Sequence, residues 1–396
     1  NKKLDVVVGT HQHNDHVSGF VHCENQFKDI IDQVWLSWLD DPDNKLAQQI
    51  KIDQKNLVSQ LKLIDTKLRA LNKTNEILSD MLGFFGVSGN DPEIPAKGIE
   101  ILKKIGKKKP DYLKPGQQID LPGLPAGEVK VYVLGPPPNK TMLFDKDPKK
   151  TETYDPAFAI AQVNTARMLS ALDNYNGEGD IRLEEQFPFN KSFKRTGAEV
   201  DQEIVDKYKN EQWRNIDNSW LDQAGRLALY LDSYTNNSSL ALAFELVKSG
   251  KVLLFAADAQ TGNWLSWFNI EWQGKNKDFT TRLLENTVLY KVGHHASHNA
   301  TLVQSLEAMG HDELIAMIPV DKTDGNITKK NGWKMPAKNL YKRLKEKTQF
   351  RVLRMDDGFA DECDPVKNKA TAKWDKLKGK PVIDNKNFFV EYTVHE

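Results

Sequence analysis

The chain has 396 residues, with 55 Lys plus Arg against 55 Asp plus Glu. That balance excludes a strongly cationic nucleic-acid or membrane binder, and the length suits two domains or one large domain with insertions. The two cysteines, Cys23 and Cys363, exclude a disulfide framework and suit a reducing, cytoplasmic setting, and no run approaches the ~18 consecutive apolar residues of a membrane span.

Residues 4–8, Leu-Asp-Val-Val-Val, read as a buried strand and are too short for a signal-peptide core. Residue 1 is Asn, so a segment is expected to precede it. Further on, Ala47, Ile50, Leu57, Leu61, Ile64, Leu68 and Leu71 recur mostly every three or four positions. That is the period of an amphipathic helix. Unbroken over 44–82 it would extend ~58 Å. Its stripe needs cover from this chain or from a second copy, and a homodimer through 44–82 is one expectation. Residues 26–114 as a whole read as a mainly helical insertion. Near their end stands a basic run, Lys103, Lys104, Lys107, Lys108 and Lys109. It is a solvated face or, on the sharper reading, a phosphate-backbone contact.

A strand is expected at 129–134, closed by Gly135-Pro136-Pro137-Pro138. Residues 139–234 read as a second, mostly helical insertion, with Trp213 to Asp217 and a Leu/Ala-rich helix over 220–231 inside it. Apolar runs at 240–246 and 252–256 flank Lys248-Ser249-Gly250 and predict a hairpin. Further strands are expected at 287–292, 314–320 and 388–394. This order predicts an α/β core with large insertions.

Six of the nine histidines sit in two short stretches. The first is Thr10-His11-Gln12-His13-Asn14-Asp15-His16. Three imidazoles and a carboxylate this close would leave ring nitrogens in need of partners if buried, and a metal satisfies them together. His11 and His13 can reach one ion while Asp15 and His16 reach a second. Imidazole and carboxylate donors without cysteine suit Zn²⁺, with Mn²⁺ or Fe²⁺ as alternatives. The second stretch is Gly293-His294-His295-Ala296-Ser297-His298. Adjacent histidines point in different directions, so one is a direct ligand and the other contacts substrate or supports a ligand. Asp258 ends an apolar run. It is a turn residue, or a carboxylate bridging two cations.

His11-x-His13-x-Asp15-His16 resembles the HxHxDH signature of the metallo-β-lactamase fold. Asp258 stands where that superfamily has its bridging aspartate. His294-His295-Ala296-Ser297 is similar to the HHGS-like motif of the ComEC-like competence-protein and phosphorylcholine-esterase branch, as Asn236-Asn237-x-Ser239-Leu240 is to its NNxSL segment. The resemblance covers about 1–25, 115–137 and 235–320. It implies one catalytic domain over 1–396, an αββα sandwich whose first strands precede residue 1. It also implies two divalent metals, zinc first and manganese second. His11 and His13 would hold metal one; Asp15, His16 and His294 would hold metal two; Asp258 would bridge. His294 is preferred to His295 because it comes first after the strand. His295 or His298 would then stabilise the leaving oxygen. The chain departs from the pattern in three places. No aspartate-bearing strand pair precedes the motif, no third histidine lies between His16 and Asp258 except His22, and Ala296 stands where glycine is usual. Metal one is therefore the more open site, and a β-lactamase or glyoxalase role is disfavoured.

The expected function is a dinuclear metal-dependent hydrolase in which metal-bound hydroxide attacks a phosphodiester, as a nuclease or on a small diester. The alternatives are a carboxylic ester, thioester or lactone hydrolase on the same centre, and a non-catalytic scaffold with a residual metal site.

Overall fold

The computed structural model describes residues 3–70, 75–85, 94–143, 200–210, 228, 231–321, 323–328, 333–356, 358–359, 373–379, 381–384 and 389–396. The chain divides into two compact units. One comprises Asn1–Lys51, Ile94–Ala159 and Ser233–Glu396; the other comprises Ile52–Glu93 and Ile160–Asp232.

The first unit holds a parallel three-stranded sheet, β1 (Leu4–Val8), β2 (Ile31–Ser37) and β3 (Asp111–Leu113), in that order. It also holds an eight-stranded mixed sheet. That sheet contains β4 (Gln118–Asp120), β5 (Val129–Val133), β6 (Leu242–Leu246), β7 (Lys251–Phe255), β8 (Thr287–Lys291), β9 (Ile315–Ile318), β10 (Val352–Arg354) and β11 (Gly358–Phe359). They lie in the reverse of chain order from edge to edge. The strands β7 to β10 run parallel to one another, while β4 to β7 are joined antiparallel. A small hairpin, β12 (Val382–Asp384) with β13 (Phe389–Glu391), lies near the C-terminus.

Alternation along the strands decides the layers, because successive side chains in a strand point to opposite faces. On β2, Val34 and Leu36 pack with Val17, Ile99 and Leu102 of the helices Asn14–His22 and Ile94–Ile105. Trp35, between them in sequence, packs instead with Val131, Val133, Leu240 and Leu242 of the large sheet. On β5 the odd residues join that inter-sheet cluster, while Tyr132 faces Trp264, Trp267 and Phe279 in the helical cluster beyond. Both faces of the large sheet are thus buried, and the unit is a mixed α/β structure.

The expected strands at 4–8, 129–134, 240–246, 252–256, 287–292, 314–320 and 388–394 all have counterparts in this set. The strand β2 falls inside the segment 26–114 that reads as mainly helical. Its early polar pair, Asp32 and Gln33, hides the strand signal, although Val34 to Ser37 are all buried. The segment 44–82, expected as one helix or a helical hairpin, holds two helices, Lys45–Ala70 and Glu76–Phe84. The second starts where Asn75 caps it, its side-chain oxygen accepting from the Leu78 N–H at 2.9 Å. The apolar stripe is already covered within one chain, since Leu61, Ile64 and Leu68 have no exposed surface. The dimer expected through 44–82 therefore loses its physical reason. Of the second insertion, Lys140–Leu143 and Gln202–Asn210 are helical. Trp213 to Asp217 and most of 220–231 lie outside the described residues. Among the described residues no helix is long and apolar enough to cross a membrane.

Trp35, 1 % exposed, joins the two sheets. Trp35→Ala should lower stability by about 3–5 kcal/mol, read as a shifted urea midpoint at unchanged slope.

Candidate metal centre

The first histidine motif spans a change of backbone period. Beyond β1, Gly9 still donates to the Trp35 carbonyl at 2.9 Å, which ties the start of the loop to the sheet. His11 and His13 follow two apart, with His13 extended at φ −104°, ψ 154° as the N-cap of Asn14–His22. Asp15 and His16 then fall in the first turn of that helix. The large sheet is coupled to the same loop, because the Leu240 N–H donates to the Thr10 carbonyl at 2.9 Å. Asp258 lies just beyond β7, and His294 and His295 lie just beyond β8. These are the carboxyl ends of parallel strands, where open α/β sheets bind ligands.

Two donor groups meet there. His11, His13 and Asp258 are buried, with one ligand atom each and all three atoms within 4.8 Å of one another. His11 Nε2 lies 3.2 Å from His13 Nδ1 and 3.8 Å from Asp258 Oδ2. In the second group His16 Nε2 lies 3.2 Å from Asp258 Oδ2 and 3.6 Å from Asp15 Oδ2. His295 Nε2 lies 3.7 Å from Asp15 Oδ2. A tetrahedral ion with bonds of ~2.0–2.2 Å sets neighbouring donors about 3.3–3.6 Å apart. The donor types and spacings of the first group fit a divalent ion, and Asp258 Oδ2 also faces His16 of the second.

The two adjacent histidines meet different partners. His295 donates from Nδ1 to the Pro319 carbonyl, which leaves Nε2 facing Asp15. A ring nitrogen tied to a carbonyl while the other faces a cation is the usual arrangement of a ligating histidine. The His294 ring is held by protein instead. Nδ1 lies 2.8 Å from Ser297 Oγ and 3.2 Å from Gln260 Nε2, and Nε2 lies 3.4 Å from Asn236 Nδ2. What His294 gives the centre is its backbone N–H, which donates to Asp258 Oδ1 at 2.9 Å. The loop leaves β8 in the left-handed region. His294, His295 and Ala296 have φ of 45°, 51° and 59°.

Supporting residues that chemistry alone did not single out come from the segment 236–263. Ser239 Oγ accepts from the Asp258 N–H at 3.1 Å and sits 3.3 Å from His11 Nδ1, so one hydroxyl sets two donors. Asn237 Oδ1 accepts from the N–H groups of Gln260 and Asn263 at 3.2 and 3.1 Å, which fixes the loop after Asp258. The Asn-Asn-x-Ser-Leu segment was the available signal. Gly293 is required by close approach: a Cβ there would stand 1.9 Å from the Ala257 carbonyl oxygen.

Electrostatics separate the groups. Burial pushes His11 well below its ordinary value and His13 down to about 4. Burial opposes charge on Asp258, yet His16 and His11 outweigh it and hold the carboxyl well below the usual range. Burial likewise opposes charge on Asp15, and the hydrogen bond from His295 with the His16 charge reverses it. His16 is raised and His295 is pushed up to about 9, in each case because carboxylates outweigh burial. Burial pushes His298 down to about 4. In the metal-free chain, protons on His16 and His295 thus stand where cations would.

No family model, curated protein or solved structure matches the chain.

A cation must displace the proton from His295, which is held below about pH 9. Metal affinity should therefore rise with pH up to that range, and binding at pH 7 should release protons. Zinc titrations in buffers of different ionisation enthalpy check this. His295→Ala should lose one equivalent of metal, whereas His294→Ala should keep the stoichiometry. Elemental analysis of both variants reads the difference.

Proposed function

We propose that this chain is a dinuclear metal-dependent hydrolase of phosphodiesters, built on an αββα sandwich of the metallo-β-lactamase type and working in the cytoplasm. The observation that carries the reading is Asp258 Oδ2, which faces His11 at 3.8 Å and His16 at 3.2 Å and so joins two donor groups. Two divalent cations, zinc or manganese, would supply Lewis acidity there and bring a water's pKa towards 7. His11, His13 and Asp258 would hold one, and Asp15, His16, His295 and Asp258 the other. With only three donors in the first group, a position is left for substrate or water.

Lys291 favours an anionic substrate over a neutral ester. It ends β8 on the face opposite Tyr290 and Val292, which pack in the helical cluster. Burial pushes its ammonium down to about 8, and Asp258 is the charge that opposes the drop. It stays protonated at neutral pH, and no carboxylate among the described residues lies within ion-pair distance. A phosphodiester oxygen supplies the missing partner. The basic run does not reach the same phosphate. Lys107 and Lys108 donate to the carbonyls of Ile31 and Asp32, at the start of β2. The donor groups lie past the other end of the strands, about 20 Å away for seven residues, which favours a small diester over nucleic acid. His298, which burial pushes down to about 4, is neutral at pH 7 and brings no charge to the leaving oxygen.

Asp258→Asn should reduce hydrolysis of bis-p-nitrophenyl phosphate by roughly 10²-fold or more, with loss of metal. Lys291→Gln should keep its metal, lose about 10-fold or more on the diester, and leave p-nitrophenyl acetate turnover unchanged. A native chain that hydrolyses the acetate and not the diester would favour the carboxylic-ester alternative.

A further inference from the structure

The large sheet carries a second concavity, remote from the donor groups. It has a volume of about 590 Å³, and its lining includes Lys130, Tyr132, Glu245, Lys275, Phe279 and Arg282. That volume falls within the ~300–1,000 Å³ of small-molecule sites. Lys130 and Glu245 are direct cross-strand partners on β5 and β6. They share the face of Tyr132 and Ala243, which packs against the helical cluster. The metal centre adjoins the start of β6, through the Leu240–Thr10 hydrogen bond. Glu245 is near its far end.

The charges in this concavity are arranged rather than scattered. Glu245 is 8 % exposed. Its Oε2 accepts from the Tyr132 hydroxyl at 2.6 Å and its Oε1 from Arg282 Nη2 at 3.0 Å. Both carboxylate oxygens are thereby engaged inward, and their effect is to fix Arg282. The Arg282 guanidinium lies 4.6 Å from the centre of the Phe279 ring, a second restraint on its plane. Its Nε and Nη1 donors have no acceptor among the described residues. Lys275 Nζ lies 5.0 Å from the centre of the same ring, with no carboxylate among the described residues in ion-pair range. Lys130 has one partner, Asp120, at 3.1 Å and on the exposed side. Three cations therefore converge against two carboxylates, and one of those carboxylates is buried behind the guanidinium.

The geometry points to a second binding site here, for a small phosphate monoester held by Arg282, Lys275 and Lys130. The Arg282 guanidinium still has Nε and Nη1 donors, on different edges, to give a phosphate oxygen, and the ammonium groups match the remaining charge. The cavity has room beyond the phosphate, and Val247 and Phe279 line that room for an organic body. A ligand of this kind also relieves the repulsion between two cations held on one ring.

Calorimetric titration of the full chain with phenyl phosphate tests the assignment, as purified and again after dialysis against a chelator. One saturable site should persist in the chelated chain. It should weaken about tenfold in Lys275→Gln and more in Arg282→Gln, and Asp258→Asn should leave it unchanged. Lys275→Gln guards against the case in which Arg282→Gln fails to fold through an unpaired Glu245. Binding that vanishes with the metal, or that is the same in Lys275→Gln and the native chain, would overturn the proposal. So would a preference for an oligonucleotide over phenyl phosphate at this face.

Discussion

The centre depends on one buried carboxylate between two sets of imidazoles. Asp258 is 6 % exposed, and an uncompensated charge at such depth is costly. Its compensation comes from elements far apart in sequence. His11 and His16 follow the small sheet, whereas the Ser239 hydroxyl and the His294 N–H come from the large one. The separation of the donors is therefore set by how the two sheets pack. Trp35 and its neighbours in the inter-sheet cluster act on the chemistry through that distance.

The loops that deliver the donors are strained, although Asp29, Gln349 and Phe350 are left-handed elsewhere. Ala257 has φ of 48°, and three consecutive non-glycine residues, His294 to Ala296, are left-handed. Each such residue costs of order 1–3 kcal/mol and persists only where its surroundings over-determine it. Here the loop is clamped at both ends. Val292 donates to the Met317 carbonyl at 2.8 Å, and Ala337 donates to the Ala296 carbonyl at 2.8 Å. Gly293 passes close against the Ala257 carbonyl. The conformation turns one histidine towards Asp15 and the next-door N–H onto Asp258, which a regular helix or strand cannot do with adjacent residues.

Legibility followed the same division. The strands were readable because runs such as Leu-Asp-Val-Val-Val and Val-Leu-Leu-Phe are β-branched or apolar with clear turn residues after them. The first histidine motif was readable because such density of imidazoles has few other uses. The strand β2 was hidden by Asp32 and Gln33, and its burial is visible only once β1 lies beside it. The surroundings of His294 and His295 were not readable, since they rest on a left-handed backbone that neither residue type prefers. Lys291 was overlooked because one lysine at a strand end is ordinary. Its significance comes from burial without a carboxylate, which is a property of packing. The distal cation cluster is of the same kind, since Lys130 of β5 is distant in sequence from Lys275 and Arg282, which lie before and in the helix Phe279–Glu285.

The electrostatics also bear on whether this fold needs its metals to form. In small zinc domains the unpaired ligands cannot be buried without the ion, and the apo chain is unfolded. Here Asp15 and Asp258 are already met by His16 and His295, whose protons are held because the carboxylates outweigh burial. The large helical cluster and the inter-sheet cluster supply the cohesion that a small domain lacks. The cohesion of the fold therefore does not rest on ligation at the centre.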